Sequence, residues 1–136
     1  MASKKILVIE DNELNLKLID SLLKLGHYDT VRAVDAETGI QLAREHDPDL
    51  VLMDIQLPGM DGFELHQRIV DSGSAPPVIF ITAHPDAETR TKAAKADAVA
   101  YLEKPFDDRR LLAALDAALD RIKGGPASSA GTRPAD

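Results

Sequence analysis

The sequence predicts an α/β protein whose parallel sheet is covered by helices on both faces. Five runs have the length of strands, the segments between them carry helical periodicity, and the two kinds of segment alternate five times. The 136 residues are enough for one domain with a real core and too few for a second. We therefore expect a single five-stranded parallel sheet with five helices.

Composition excludes several functional classes. With 23 acidic and 16 basic residues the net charge is −7, which repels nucleic acid, and the absence of Trp leaves little for base stacking. The absence of Cys excludes disulfides, thiolate zinc sites and a Cys nucleophile. The apolar run after Lys4 and Lys5 is too short for a signal peptide. We expect a cytoplasmic protein that binds neither nucleic acid nor a membrane.

Four of the predicted strands are apolar and end in polar residues. They are residues 6–9 before Glu10 and Asp11, residues 50–53 before Asp54, residues 77–81 before Thr82, and residues 99–102 before Glu103 and Lys104. The remaining strand, at about residues 28–34, is mixed in polarity and suits an edge of the sheet. An acid at a strand end, such as Asp54, is a ligand, a nucleophile or a helix cap.

The first helix is predicted over residues 13–25, with Gly26 ending it in the C′ position. Its periodicity predicts one apolar stripe, made of Leu14, Leu18, Leu22 and Leu25 on one side and Ile19 and Leu23 on the other. Asn15 falls within this stripe. It is interpreted as a core amide satisfied by the backbone or, alternatively, as a residue that supports the acidic site.

The other helices follow from caps and spacing. They are predicted at residues 36–46 with Asp35 as N-cap, 62–72 with Asp61 as N-cap after a turn at 58–61, 86–96, and from Asp107 as N-cap to 122. The fourth has only small apolar residues, so we expect it to be held loosely. The domain is predicted over residues 4–122. The Gly-, Pro- and Ser-rich residues 123–136 form a tail that is predicted to be disordered.

The strand ends bring together polar residues that suit a phosphoryl-transfer chemistry. In a parallel sheet Glu10, Asp11 and Asp54 converge beside Thr82 and Lys104, and three adjacent carboxylates require a cation. Oxygen ligands without His or Cys point to Mg²⁺. The cation and the ammonium neutralise a phosphoryl group, the hydroxyl bonds one of its oxygens, and the central carboxylate Asp54 is the natural nucleophile.

These residues carry a resemblance to a known family. The motifs are Glu10 and Asp11 after a strand, Asp54 followed by residues 55–62, Thr82 and Ala83, and residues 104–106. In this order and at this spacing they resemble the receiver domain of bacterial two-component response regulators over about residues 4–122. The stretch of residues 11–15 is similar to cell-division and phosphorelay receivers. The family often has Asp in place of Glu10.

The resemblance implies a doubly wound, flavodoxin-like sheet with strand order 2-1-3-4-5 and a phosphoacceptor at Asp54. It implies that Mg²⁺ is held by Asp11, Asp54 and the backbone carbonyl of Gln56, with Glu10 acting mainly through a metal-bound water. Thr82 and Lys104 would contact the phosphoryl group.

Four further residues take roles from the resemblance. The bond from Lys104 to Pro105 would be cis. Tyr101 would turn inward when Thr82 moves toward the phosphate; the alternative is an ordinary half-buried strand residue. Gln56 and His84 would tune the phosphate lifetime, or are ordinary loop residues.

The function that follows is a stand-alone response regulator, not an enzyme. Asp54 would accept a phosphoryl group from a phosphohistidine of a histidine kinase or histidine phosphotransfer protein. A monomer or weak dimer would then signal to a downstream protein through the fourth helix, fifth strand and fifth helix, or pass the group onward.

Three alternatives remain beside that function. One is a receiver domain excised from a hybrid histidine kinase or multidomain regulator. Another is an aspartyl-phosphate phosphatase, which Gln56 disfavours because that chemistry needs an acid two residues after the nucleophile. The last is a receiver that works without phosphorylation.

Overall fold

The fold is an open α/β sheet of the kind that the sequence predicts. The structure is a computed structural model. It describes residues 4–57, 59–73, 76–83, 86–96, 98–104 and 107–124, with side chains up to residue 120. The predicted tail lies outside the described residues from residue 125 onward.

Five parallel strands form the main sheet in the order β2-β1-β3-β6-β7. The strands are β1 (Lys5–Ile9), β2 (Asp29–Ala33), β3 (Leu50–Asp54), β6 (Val78–Thr82) and β7 (Ala100–Glu103). Two short strands, β4 (Gln56–Leu57) and β5 (Met60–Asp61), pair antiparallel with each other after β3. Because they intervene in the numbering, this order is the predicted 2-1-3-4-5. The mixed strand β2 lies at an edge, as predicted.

The helices alternate with the strands of the sheet. They are α1 (Glu13–Leu25), α2 (Ala36–His46), α3 (Gly62–Asp71), α4 (Ala87–Lys95) and α5 (Asp108–Gly124). The carboxylates of Asp35 and Asp61 accept the backbone N–H three residues ahead at 2.8 Å, which confirms both as N-caps. Asp107 does the same for Arg110 at 2.9 Å.

Successive residues of the central strands point to opposite faces, and each face has its own core. Ile6, Val8, Leu50 and Leu52 belong to the core that contains buried residues of α1 and α5. Leu7, Ile9, Val51 and Met53 belong to the core with Ala43 of α2, Leu65 and Ile69 of α3, and Ala93 of α4. Burial on both sides explains why these strands read as continuous apolar runs.

The predicted apolar stripe of α1 is correct in part: Ile19 and Leu23 are buried and Leu22 is partly buried, but Leu14, Leu18 and Leu25 are exposed, and the buried Leu16 was missed. The inner stripe, which faces the sheet, consists of Leu16, Ile19 and Leu23. The outer stripe consists of Leu14, Leu18 and Leu25, which are 77%, 60% and 68% exposed. Both stripes have helical spacing and lie roughly 160° apart around the helix. Periodicity alone therefore cannot show which stripe faces the sheet. The rotation of the helix about its axis, which is fixed where the helix begins at its N-cap, decides this. Asn15 is half-buried at the margin of the inner stripe.

Gly26 ends α1 for a reason other than the predicted one. Its φ is −86°, and the left-handed residue is the next one, His27, with φ of 65°. A Cβ on Gly26 would lie 2.9 Å from Leu112 and 3.0 Å from the ring of Tyr28. These side chains fill the space beside Gly26 because α1 closes onto α5, where the Tyr28 hydroxyl donates a hydrogen bond to Asp116, so a larger residue would have to displace them.

Helix α4 is attached to the rest of the fold by few contacts, as its alanine-rich sequence predicts. Ala93 is its buried residue. Lys92 lies over the ring of Phe63 of α3 at 5.9 Å from the centroid, and Arg90 forms an exposed ion pair with Glu103 of β7 at 2.9 Å. Within the described residues, no helix has both the length and the apolar character needed to cross a membrane.

The two faces of α1 make a testable distinction between leucines of one helix. We expect Leu23→Ala to lower the free energy of unfolding by about 2–5 kcal/mol because it opens a cavity in the core. Leu18→Ala removes an exposed side chain and should change that free energy by less than about 0.5 kcal/mol. Urea unfolding followed by circular dichroism measures both, and equal losses would contradict the assignment of the faces.

Candidate functional site

The carboxyl edge of the main sheet gathers the polar residues that the sequence singled out. Ile9 is in register with Met53, and Asp54 with Ile81, so the residues that follow β1, β3 and β6 lie side by side. Thr82 is in register with Glu103, the residue before Lys104. Glu10, Asp54 and Thr82 are all buried here, whereas Asp11 is exposed.

One ammonium group lies between two buried carboxylates. The Lys104 Nζ is 2.6 Å from Asp54 Oδ2 and 3.0 Å from Glu10 Oε1. The residues come from the ends of β7, β3 and β1, which are separated by up to 94 positions in the chain. The sequence predicted Lys104 near these acids, but the direct contact with Glu10 is a feature that only the structure supplies.

Backbone N–H groups occupy the remaining carboxylate oxygens. The N–H of Asn12 donates to Glu10 Oε2 at 3.2 Å, and the N–H of Gln56 donates to Asp54 Oδ1 at 2.9 Å. Both donors belong to the loop that follows the strand carrying the acid. Each carboxylate is thus fixed by its own loop on one oxygen and by Lys104 on the other.

The electrostatics of the site favour additional positive charge. Burial raises the pKa of the Glu10 carboxyl, and the hydrogen bond from Lys104 offsets this only in part while the Asp54 carboxylate adds to it. Burial by itself would lower the pKa of the Lys104 ammonium, but its hydrogen bonds to Asp54 and Glu10 raise it. The raised pKa of Glu10 and the raised pKa of Lys104 are consistent with each other, because two carboxylates share one ammonium.

The three acids also form a group that could hold a metal ion. Glu10, Asp11 and Asp54 each offer a carboxylate oxygen, and these oxygens lie within 4.8 Å of one another. An all-oxygen donor set of this kind suits a hard divalent cation such as Mg²⁺. The group carries three negative charges against the single charge of Lys104, so its composition fits a cation.

Thr82 and Tyr101 lie on neighbouring strands beside this group. Thr82 is buried at the end of β6, and its carbonyl accepts a hydrogen bond from the Lys104 N–H at 2.7 Å. Tyr101 is half-buried on β7 opposite Phe80. Its hydroxyl is buried and has no hydrogen-bond partner among the described residues. Burial raises the pKa of this phenol.

Two other predicted site residues, His84 and Pro105, lie outside the described residues. Gln56 is exposed at the start of the β4–β5 hairpin, and its backbone pairs with Asp61. The sequence indicated a turn at this point and missed the hairpin. His66 of α3 is half-buried, with its ring 5.8 Å from that of Phe80 and its pKa lowered by burial.

Known proteins share both the sequence pattern and the fold. Residues 6–116 match the family model described as the response regulator receiver domain. The polar-differentiation response regulator DivK of Brucella ovis is 37% identical over 112 residues, which cover 81% of this chain and 91% of that protein.

Solved structures agree with this relationship. A CheY-like response regulator receiver domain protein from Methanospirillum hungatei has a TM-score of 0.84 at 29% identity, covering 91% of this chain and all of that one. The signal receiver domain of an HD domain-containing protein from Pseudomonas fluorescens has a TM-score of 0.83 at 33% identity, with coverage of 91% and 100%. The chain therefore belongs to the family of response regulator receiver domains.

Proposed function

We propose that Asp54 of this response regulator accepts a phosphoryl group from a phosphohistidine and that the protein then changes its contacts with other proteins. The observation that carries the proposal is the position of Asp54. Its carboxylate is buried at the end of the central strand, held by Lys104 and by the N–H of Gln56, within a cluster of three acids. Such a carboxylate is oriented before any substrate arrives.

We propose Mg²⁺ as the cation of the site, held by Asp11, Asp54 and the backbone carbonyl of Gln56, with Glu10 beside it. When bound, it would neutralise charge on the transferring phosphoryl group. The excess negative charge of the cluster supports this assignment. Burial, and to a lesser extent the Asp54 carboxylate, raises the pKa of Glu10, so a nearby cation would favour its ionised form.

In the proposed transfer, one Asp54 oxygen attacks phosphorus while the bond from phosphorus to the donor breaks. The leaving imidazole or acetate takes the electron pair of that bond. Lys104 would exchange its hydrogen bond with the Asp54 carboxylate for one with a phosphoryl oxygen, and the Thr82 hydroxyl would donate to another. The product is an acyl phosphate on Asp54.

The outer stripe of α1 supports a place for the phosphodonor. Leu14, Leu18 and Leu25 are exposed on one face of α1, which begins one turn after the acidic cluster. Monomeric proteins rarely leave leucines in such a row without a partner. We assign this face to the histidine kinase or histidine phosphotransfer protein that delivers the phosphoryl group.

Output is assigned to a different surface, formed by α4, β7 and α5. A shallow groove of about 210 Å³ between α4 and β7 is lined by Ala93, Ala94, Ala98 and Ala100 together with Arg90 and Tyr101. Within the described chain the buried Tyr101 hydroxyl lacks a hydrogen bond, which costs roughly 1–3 kcal/mol. Its present position is therefore weakly preferred, which supports the switch assigned to Tyr101 and Thr82.

The protein is proposed to act as a switch and not as a catalyst that turns over. The residue two positions after Asp54 is Gln56, whose amide cannot act as the general acid and base that a phosphatase needs. Self-dephosphorylation would then be slow, with Gln56 and His84 setting its rate.

Phosphorylation by a small donor tests the central proposal. Incubation with Mg²⁺ and acetyl phosphate should add one phosphoryl group to the parent protein and none to Asp54→Ala, as read from intact mass. Asp47→Asn is the matched control, since it alters an exposed acid that ends α2. Addition to Asp54→Ala, or none to the parent, would contradict the proposal.

A second test separates donor docking from chemistry. Leu18→Glu places a charge in the outer stripe of α1 without touching the acidic cluster. We expect it to slow transfer from a purified phosphorylated histidine phosphotransfer protein and to leave phosphorylation by acetyl phosphate as it is in the parent. If Leu18→Glu and the parent accept the phosphoryl group from the protein donor at equal rates, α1 is not part of the docking surface.

The pKa of Glu10 gives a pH-dependent prediction. In the folded state it lies above the ordinary value of 4.5, so between those two pKa values the folded protein holds a proton that the unfolded chain has lost. Stability from this group therefore falls as the pH rises through the window. In Mg²⁺-free buffer, Glu10→Gln should be more stable than the parent at neutral pH.

The advantage of Glu10→Gln should shrink toward pH 4.5 and vanish below it. Urea unfolding across this pH range measures the difference in the free energy of unfolding. Glu13→Gln serves as the control because it makes the same change on an exposed residue of α1. A stability difference that does not vary with pH would exclude Glu10 ionisation as its cause.

A further inference from the structure

We propose that Gly62 is a positioning residue for the phosphoacceptor: its missing side chain lets the start of α3 pack directly on the peptide that follows Asp54. This inference rests on the proposed function, because it concerns the same carboxylate. Gly62 is buried and is the first residue of α3, with Asp61 as the N-cap before it. It makes no contact with a reacting group and acts only through the backbone of its neighbours.

The steric observation is specific to this glycine. A Cβ on Gly62 would lie 2.8 Å from the carbonyl oxygen of Asp54 and 2.8 Å from the Cα of Ile55. Both atoms belong to the backbone, which cannot rotate away as a side chain can. By contrast, a Cβ on Gly39 would meet only the flexible end of Ile9.

Hydrogen bonds fix the same close approach. The Gly62 N–H donates to the Ile55 carbonyl at 2.6 Å, and the Ile55 N–H donates to the carbonyl of Ile81 on β6 at 2.9 Å. The peptide after Asp54 is thus held between the start of α3 and the neighbouring strand. The β4–β5 hairpin, which pairs Gln56 with Asp61, closes the loop between these two contacts.

A shift of this loop would change the orientation of the Asp54 carboxylate through Gln56. Its N–H donates to Asp54 Oδ1, and its carbonyl is one of the proposed Mg²⁺ ligands, so both depend on where this loop lies. A methyl group on Gly62 would push the Asp54–Ile55 backbone away from α3. The carboxylate would lose the orientation that its N–H donor imposes, although every residue of the acidic cluster would still be present.

The test compares Gly62→Ala with Gly73→Ala. Gly73 lies just after the other end of α3 at φ of 100°, and no atom of the described residues lies within 4 Å of an added Cβ. Its substitution therefore strains the backbone at the end of α3 that is far from Asp54. Circular dichroism and thermal unfolding first establish that both variants fold. Phosphorylation by acetyl phosphate is then followed by intact mass as a function of Mg²⁺ concentration.

We expect Gly62→Ala to lose on the order of tenfold to a hundredfold in rate at saturating Mg²⁺ and to need more Mg²⁺ for its half-maximal rate. Gly73→Ala should match the parent in both quantities despite its lower stability. A folded Gly62→Ala with the parent's rate and Mg²⁺ dependence would overturn the inference, and so would equal slowing in both variants. If the parent itself takes no phosphoryl group, the proposed function fails instead.

Amide exchange in the unmodified protein tests the contact between the start of α3 and the peptide after Asp54 directly. It therefore applies even when Gly62→Ala does not fold or the parent is not phosphorylated. The Gly62 N–H should exchange on the order of a hundredfold more slowly than an unprotected amide, because it is bonded to Ile55 in the contact proposed here. Exchange at the unprotected rate would show that α3 does not hold this peptide and would overturn the inference.

Discussion

The geometry of the site depends on one ammonium group shared by two buried carboxylates. Lys104 bonds Asp54 and Glu10, and these three residues stand at the ends of β7, β3 and β1. The contacts therefore form only when all three strands are in register. Since Asn12 and Gln56 bind the other carboxylate oxygens through their N–H groups, the two following loops are fixed by the same cluster. A site arranged in this way is pre-organised by the folding of the sheet itself.

Helix α4 is held less firmly than the other helices, and in the proposed function this difference would give a signal a direction. On one side the inner stripe of α1 and the buried leucines of α5 fill a continuous core. On the other side α2 and α3 fill a second core, and the part of that side around α4 is weaker. Helix α4 contributes Ala93 to this core, and among the described residues it also makes a cation–π contact with Phe63 and an exposed ion pair with Glu103. An exposed ion pair contributes about 0–1 kcal/mol. A rearrangement that begins at Thr82 would thus meet less resistance toward α4 and β7 than toward α1. The buried Tyr101 hydroxyl, with no partner among the described residues, lies on this weaker side.

The order of the main strands and helices, and the polar residue types at the strand ends, could be predicted from the sequence because short-range signals determine them. Caps such as Asp35 and Asp61 announce the starts of helices, and the apolar runs of β1, β3 and β6 identify strands buried on both faces. The failures concern quantities that local pattern does not determine. Gly26 suited a left-handed C′ position, but its neighbour His27 adopts that conformation, and contact with Leu112 explains the glycine. The contact between Lys104 and Glu10 joins residues 94 positions apart, and no spacing rule gives such a distance.

Helix α1 has two apolar stripes, and only one of them faces the sheet. Its two leucine-containing stripes are equally regular, and periodicity alone treats both as core. Only one face of a helix can lie on a sheet, so a helix with two apolar faces has more apolar surface than the domain can bury. Here the inner stripe completes the core, and the outer stripe of Leu14, Leu18 and Leu25 remains in solvent. That exposure is unfavourable for an isolated domain, and it is consistent with a surface that another protein covers. Because α1 follows directly from Glu10 and Asp11, a partner on this face would lie next to the acidic cluster. In the proposed function, the excess of leucine in this one helix would thus link the packing of the domain to the delivery of its phosphoryl group.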